Sequence, residues 1–116
     1  MNMIDLQLYP STRRQAAGTI YSNWFDVSLM TEALIALAVT AQGSYTNETL
    51  DVTVQGQDPL GNLITLAQFT QVGNVTSSLP YVEALKLSNF GGQIRVKITT
   101  AGTSVDYTLS VGGYAK

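Results

Sequence analysis

Hydrophobic and polar residues alternate with a period of two through most of this 116-residue chain. Near the C-terminus Ile94, Val96 and Ile98 interleave with Arg95 and Lys97, and Val105, Tyr107, Leu109 and Val111 interleave with Asp106, Thr108 and Ser110. Successive side chains of an extended strand point to opposite faces, so both runs read as strands buried on one side only. Ala101-Gly102-Thr103 lies between them, and the pattern predicts a C-terminal β-hairpin. Upstream, Leu50, Val52 and Val54 alternate with Asp51, Thr53 and Gln55 as far as Asp58-Pro59-Leu60-Gly61-Asn62, where Pro fixes φ and Gly permits positive φ. Residues Leu63 to Phe69 return from that turn, which predicts a second hairpin.

Three further segments fit the same grammar. Trp24 to Leu29 reads as a strand with Phe25, Val27 and Leu29 on one side, and Val82 to Leu87 as another, entered through Leu79-Pro80 and left through Asn89-Phe90-Gly91-Gly92. Glu32 to Ala41 is ambiguous, because Ala and Leu favour helix while Ile35, Leu37 and Val39 alternate with Ala36 and Ala38. The alternation decides for a central strand with small residues on one packed face. Residues 1–18 differ in character: Met3 to Leu8 fits an edge strand, but Pro10 to Gln15 has no apolar periodicity and ends at Gly18. That segment is expected to be an extended N-terminal arm, either an exposed lead-in or a piece that orders against a neighbouring subunit. Residues 19–116 then form a single domain. The fold expected is all-β, an antiparallel β-sandwich of jelly-roll or immunoglobulin-like type with that arm attached.

Composition changes this picture in one respect. Hydrophobic residues make up 45 % of the chain and charged residues 12 %, against about 25 % charged in an ordinary soluble domain, so the surface is sparsely charged and an assembled state is favoured. The net charge is −2, and the six basic residues form no run longer than Arg13-Arg14. Nucleic acid is an unsuitable partner, since phosphate binding rests on clustered Lys and Arg. The N-terminus has Asp5 where a secretory signal has basic residues before an apolar run, and the longest apolar stretch, Ala33 to Ala41, is far short of the ~20 residues that span a bilayer. Export by that route and membrane insertion are therefore not expected. Asn47-Glu48-Thr49 and Asn74-Val75-Thr76 fit the glycosylation pattern and, without an export signal, read as chance.

There is no Cys and no His. That removes imidazole bases, thiolate nucleophiles, disulfides and thiolate-held metals. Among the eight carboxylates, no spacing marks the facing pair a glycosidase needs. Asp51 and Asp58, with loop carbonyls, are the calcium candidates, but no spaced Asp-x-Asp-x-Asp loop accompanies them. Ser nucleophiles lack a Ser-x-x-Lys partner, and Gly91-Gly92 is a turn rather than a phosphate loop. No catalytic, cofactor or metal residue is predicted, and the chain is not expected to be an enzyme. Trp24, Tyr45, Tyr81 and Tyr114 form no flat row for stacking on sugars; Trp24 beside Phe25 reads as core or interface, and Tyr107 as buried. The protein-interface candidates are Tyr9, Tyr45 and Tyr114, whose rings suit a half-dry contact, with Arg13 and Arg14, whose forks suit carboxylates.

The stretch Val54-Gln55-Gly56-Gln57-Asp58-Pro59-Leu60-Gly61-Asn62 and the return strand Leu66-Ala67-Gln68-Phe69-Thr70-Gln71-Val72 resemble a group of small tailed-phage virion proteins. Gly91-Gly92-Gln93-Ile94-Arg95-Val96-Lys97, Thr99-Thr100-Ala101-Gly102-Thr103-Ser104 and the terminal Leu109 to Lys116 continue the likeness, which covers residues 24–116. The N-terminal segment has no counterpart in it, and Leu63 or Ile64 stands where such proteins often carry a tryptophan. The resemblance implies a non-enzymatic capsid decoration (cement) protein. Such a protein acts as a dimer or trimer that bridges subunits of the phage major capsid protein on the virion surface, after synthesis in the bacterial host cytoplasm. It implies no cofactor. A head-tail connector, a tail component and a carbohydrate-binding sandwich remain the alternatives.

Overall fold

The computed structural model describes residues 3–116. These form nine strands: β1 (Ile4–Arg14), β2 (Gly18–Tyr21), β3 (Phe25–Asp26), β4 (Glu32–Gln42), β5 (Thr49–Gln57), β6 (Leu63–Gln68), β7 (Tyr81–Ser88), β8 (Gln93–Ala101) and β9 (Tyr107–Ala115). One sheet runs β1-β9-β4-β7; the other runs β2-β8-β5-β6, with β3 also paired to β8. Every pairing is antiparallel. The result is an all-β, two-sheet sandwich, as the alternation predicts.

The core is the set of inward positions. Ile35, Leu37 and Val39 of β4 and Leu109 and Val111 of β9 meet Val52 and Val54 of β5 and Ile94, Val96 and Ile98 of β8, all of them buried. Each such side chain contributes roughly 1.5–3 kcal/mol on burial. The ambiguous alanine-rich segment is the strand β4, and it lies between β9 and β7. The second predicted hairpin is present as β5 and β6. Its turn is closed by Asp58, whose Oδ1 accepts from the backbone N–H of Leu60 and of Asn62 at 2.8 Å each.

Three expectations are corrected. The C-terminal hairpin does not exist: β8 pairs with β2, β3 and β5, while β9 pairs with β1 and β4 in the opposite sheet. Residues 102–106 cross from one sheet to the other. A period of two records which side of a strand is buried, and that side is the same whether the next strand lies beside it or across the core. The strand expected over Trp24 to Leu29 stops at Asp26. Asp26 Oδ1 accepts from Ser28 N at 2.9 Å and Met30 N bonds Val27 O at 2.9 Å, so the chain turns and leaves Leu29 90 % exposed.

The third correction concerns the arm. Ile4–Arg14 is an edge strand hydrogen-bonded along β9, with register shifts between Leu6 and Tyr9 and between Tyr9 and Thr12. Each shift sets one extra β1 residue against β9, and each reverses the alternation of sides. An apolar period cannot survive that reversal in the sequence. Met1 and Asn2, the first residues of the expected arm, lie outside the described residues.

Close strand approach in the first sheet depends on Gly113. A Cβ there would stand 1.8 Å from Leu34 O on β4, closer than any side chain can come. At the end where the chain crosses between sheets, the buried Glu48 carboxylate and Tyr107 hydroxyl find partners, while Arg14 Nε, on the strand beside Tyr107, is shielded without one among the described residues. The Glu48 carboxylate, only 2 % exposed, accepts from Thr46 N at 2.7 Å, from the Thr46 hydroxyl and from Ser104 N at 3.2 Å. Those bonds, led by the Thr46 hydroxyl, hold its pKa at about 2. Beside it the Tyr107 hydroxyl shares its proton between Gly73 O at 2.9 Å and Glu48 O at 3.2 Å, and burial pushes its pKa up to about 12.

Candidate functional site

The register fixes what each sheet shows to its outside, because directly opposite residues of an antiparallel pair share a face. On the first sheet, Leu34 of β4 lies between Tyr114 and Lys86, Ala36 between Gly112 and Ala84, and Ala38 between Ser110 and Val82. Leu34, Ala36 and Ala38 are half-buried, Ala84 is exposed and Val82 is 58 % exposed. Charge enters this area only at its border. Lys86 closes one end, and the Lys116–Glu32 ion pair, 2.9 Å, stands beside it. That contact lowers the Glu32 pKa and raises that of Lys116. Between them is a recess of about 120 Å³ lined by Leu34, Lys86 and Tyr114. The side chains are short, so the face is flat, and a contiguous apolar surface rimmed by polar residues is the physical form of a protein-docking site.

On the second sheet the same geometry carries different chemistry. Tyr21 lies opposite Lys97, which lies opposite Thr53; Arg95 lies opposite Gln55, which lies opposite Thr65. The Arg95 guanidinium carbon is 4.3 Å from the Tyr21 ring centre and 4.6 Å from that of Trp24. Its Nε donates to Gln55 Oε1 at 2.9 Å. This face is aromatic, cationic and amide-bearing.

The five interface candidates fall in separate places. Tyr114 stands on the outer face of the first sheet, opposite Leu34 and 37 % exposed. Tyr9 is half-buried on β1, opposite Val111. Arg13 spends its fork within the chain, with Nε and Nη2 each 2.9 Å from one oxygen of Asp106, which lowers the Asp106 pKa. Arg14 lies opposite Tyr107 and is half-buried, with its Nε shielded and unpartnered among the described residues. Tyr45 is half-buried in the connection between β4 and β5, its hydroxyl near Gly73. Structure thus assembles Tyr114, rather than the five together, into a candidate face.

Leu34, Ala36, Ala38, Val82 and Ala84 are not among the interface candidates that the sequence offers. Their signal was the small-residue side of β4, which was expected to be packed; inside this chain it is an outer surface. Trp24 was placed in a core or interface and is half-buried against Arg95. Of the carboxylates, all but Asp5 accept hydrogen bonds or ion pairs from the protein's own groups, so they serve turns, caps and strand contacts.

No protein-family model matches the chain, and no curated protein sequence does. Solved structures do. The infectious bursal disease virus VP2 subviral particle aligns with a TM-score of 0.72 at 12 % identity, over 98 % of this chain and 32 % of that one. The SPBc2 prophage-derived protein YomS aligns with a TM-score of 0.57 at 14 % identity, over 98 % of this chain and 92 % of that one. The CBM22-1-GH10 modules of Clostridium thermocellum endo-1,4-beta-D-xylanase 10B, complexed with xylohexaose, align at 0.50 and 14 % identity, over 98 % and 26 % respectively. This chain spans about a third of the VP2 chain. What these likenesses share is the fold, a β-sandwich of the kind found in a viral capsid protein.

Proposed function

We propose that this chain is a non-enzymatic structural protein of a virus particle. Within that class we assign it to the capsid decoration (cement) proteins of tailed phages. The observation that carries the reading is the apolar patch on the outer face of the first sheet, built from Leu34, Ala36, Ala38, Val82 and Ala84, with Lys86 and Asp5 at its border. A face of this kind gains free energy by leaving water, at about 25 cal/mol per Å² of apolar area, and its short side chains lose little entropy on docking. Decoration works by repetition: a modest contact between each copy and the major capsid protein, made across subunit boundaries by a dimer or trimer, strengthens a shell that carries many copies. The capsid-like sandwich fold and the likeness to a prophage-derived protein of similar length support the same reading. A connector or tail part would use the same face on a different partner.

The test is to mix the purified protein, its mass first fixed by light scattering, with phage shells that lack accessory proteins. A dimer or trimer that saturates the shell at a fixed ratio is the expected result. Binding should be lost in Ala36→Glu and Ala38→Glu. A monomer that ignores shells would overturn the decoration reading.

A further inference from the structure

The outer face of the second sheet is not needed for docking through the first, and it carries a donor surplus that the protein itself does not use. We propose that it is a binding site for an acidic sugar, a hydroxylated ring bearing a carboxylate, centred on Arg95. The Arg95 guanidinium carbon lies over two aromatic rings, at 4.3 Å from Tyr21 and 4.6 Å from Trp24, and the group is oriented by the 2.9 Å bond from its Nε to Gln55 Oε1. Only Nε is engaged. Among the described residues no acceptor takes the Arg95 Nη groups, the Gln55 Nε2 or the Lys97 ammonium. Gln55 is itself only 6 % exposed, so its amide is fixed in place rather than free to turn in solvent.

The chemistry of those groups selects the ligand. A guanidinium whose Nη pair is free and whose plane is fixed matches a carboxylate through two parallel bonds. Lys97 sits two residues along the same strand, about 7 Å away at the rise of an extended chain. Around the cations are Thr53 and Thr65, whose hydroxyls both donate and accept, and the 51 % exposed Tyr21 ring. Hydroxyl, amide and aromatic groups beside an Arg fork fit a carboxylated pyranose. The two acids on this face keep their charge but form no ion pair with Arg95 or Lys97 among the described residues: Asp51 accepts from Gln71 Nε2 at 3.0 and 3.1 Å, and Asp26 from Ser28 N at 2.9 Å. Nucleic acid is disfavoured because two cations in a chain of net charge −2 supply too few phosphate contacts. An acidic peptide would also meet Arg95 and Lys97, but a run of glutamates has no ring face to stack on the exposed Tyr21.

Trp24 is the single tryptophan of the chain, so its fluorescence reports on this site alone. Trigalacturonate and a hyaluronan tetrasaccharide would be titrated into the full chain by fluorescence and by calorimetry, with xylotriose as the neutral sugar and triglutamate as the acidic peptide. The expected result is saturable binding of at least one acidic sugar with a change in Trp24 emission, and affinity weaker by at least about tenfold for xylotriose and triglutamate. Arg95→Gln, its folding checked by circular dichroism, should weaken the acidic sugar at least about tenfold, whereas Ala36→Glu should leave it unchanged. Absence of heat and of emission change with both acidic sugars overturns the proposal. Equal binding of triglutamate reassigns the face to an acidic peptide, and undiminished binding by Arg95→Gln also overturns it. Because Ala36→Glu tests the first sheet and Arg95→Gln the second, failure of this site leaves the decoration reading standing, and the reverse holds.

Discussion

The two outer faces of this sandwich are built on the same strand geometry and could hardly differ more in content. The first sheet shows Leu34, Ala36, Ala38, Val82 and Ala84, with Lys86 at the border. The second shows Tyr21, Arg95, Lys97, Thr53, Gln55 and Thr65. Behind them the inner faces are chemically interchangeable, Ile35, Leu37 and Val39 on one side and Val52, Val54, Val96 and Ile98 on the other. The difference separates two demands on an alternating strand. Inward positions answer to packing and so converge on branched aliphatic residues. Outward positions answer to whatever lies outside, and a patch of alanine, leucine and valine facing outward gains by being covered.

If the inner faces are equivalent, equal truncations on either side of the core should cost equal amounts, and this is the largest effect expected. Leu37→Ala and Ile98→Ala, both fully buried in the wild type, should each lower unfolding free energy by about 2–5 kcal/mol in urea titrations. A loss in one sheet several times that in the other would show that the sheets are not a single packed unit, and the comparison of their outer faces would have to be made between separate halves.

A smaller effect separates the outer faces. Introducing Glu at Ala36 or Ala38 should reduce shell binding by at least about tenfold, near 1.4 kcal/mol, while Thr53→Glu on the other sheet leaves it unchanged. Melting curves should barely move for any of the three, because outward substitutions away from special features fall within about 0.5 kcal/mol. Loss of binding in Thr53→Glu with retention in Ala36→Glu would exchange the roles of the faces.

Much of this architecture was legible in the alternation and some was hidden by the same rule. The β4 strand and the β5-β6 hairpin follow from period and turn chemistry, because Ile35, Leu37 and Val39 repeat every second residue and Asp58-Pro59 starts a turn that Gly61, at φ 85°, completes. The path from β8 to β9 did not follow, since Ala101-Gly102-Thr103 serves equally in a hairpin and in a crossing between sheets. β1 was obscured by its bulges. The docking face was half legible: the small side of β4 was visible, but Val82 and Ala84 join it only through pairing between residues far apart in the chain, Ala38 with Val82 at 44 positions and Ala36 with Ala84 at 48. The Arg95 site needed more still, because Tyr21 and Trp24 reach it from one segment and Gln55 from another, both far from Arg95 in the chain.

Acidification probes the crossing that ties the two sheets together. The Glu48 pKa lies at about 2 in the folded protein against an ordinary 4.5. A carboxylate depressed on folding contributes stability that is complete above its unfolded pKa and is lost as pH falls through the folded one. Melting temperature should therefore decline from about pH 4.5 down to pH 2. Asp26, Glu32, Asp58 and Asp106, also lowered by their partners, act in the same direction. Glu48→Gln should lower stability at neutral pH and flatten this acid limb, since it removes the group buried most deeply among them. An unchanged slope in that variant would place the acid sensitivity on the exposed carboxylates instead of at the crossing.

The smallest effect is the one that most sharpens the contrast. Arg95 touches two aromatic rings and Gln55 Oε1, which looks like a stabilising cluster of the fold. Cation–π contacts contribute only about 0.5–1 kcal/mol each where water still reaches the ring, as at the 51 % exposed Tyr21, and an amide placed at position 95 can still donate to Gln55 Oε1. Arg95→Gln should thus lower unfolding free energy by no more than about 1–2 kcal/mol, well below the loss in Leu37→Ala, while Trp24 emission shifts because its stacking partner is gone. A loss as large as that of a core truncation would make Arg95 a structural clamp, with its Nη groups left over by packing. A small loss leaves an ordered guanidinium, close to two rings on the outer face of its sheet, that the fold does not require.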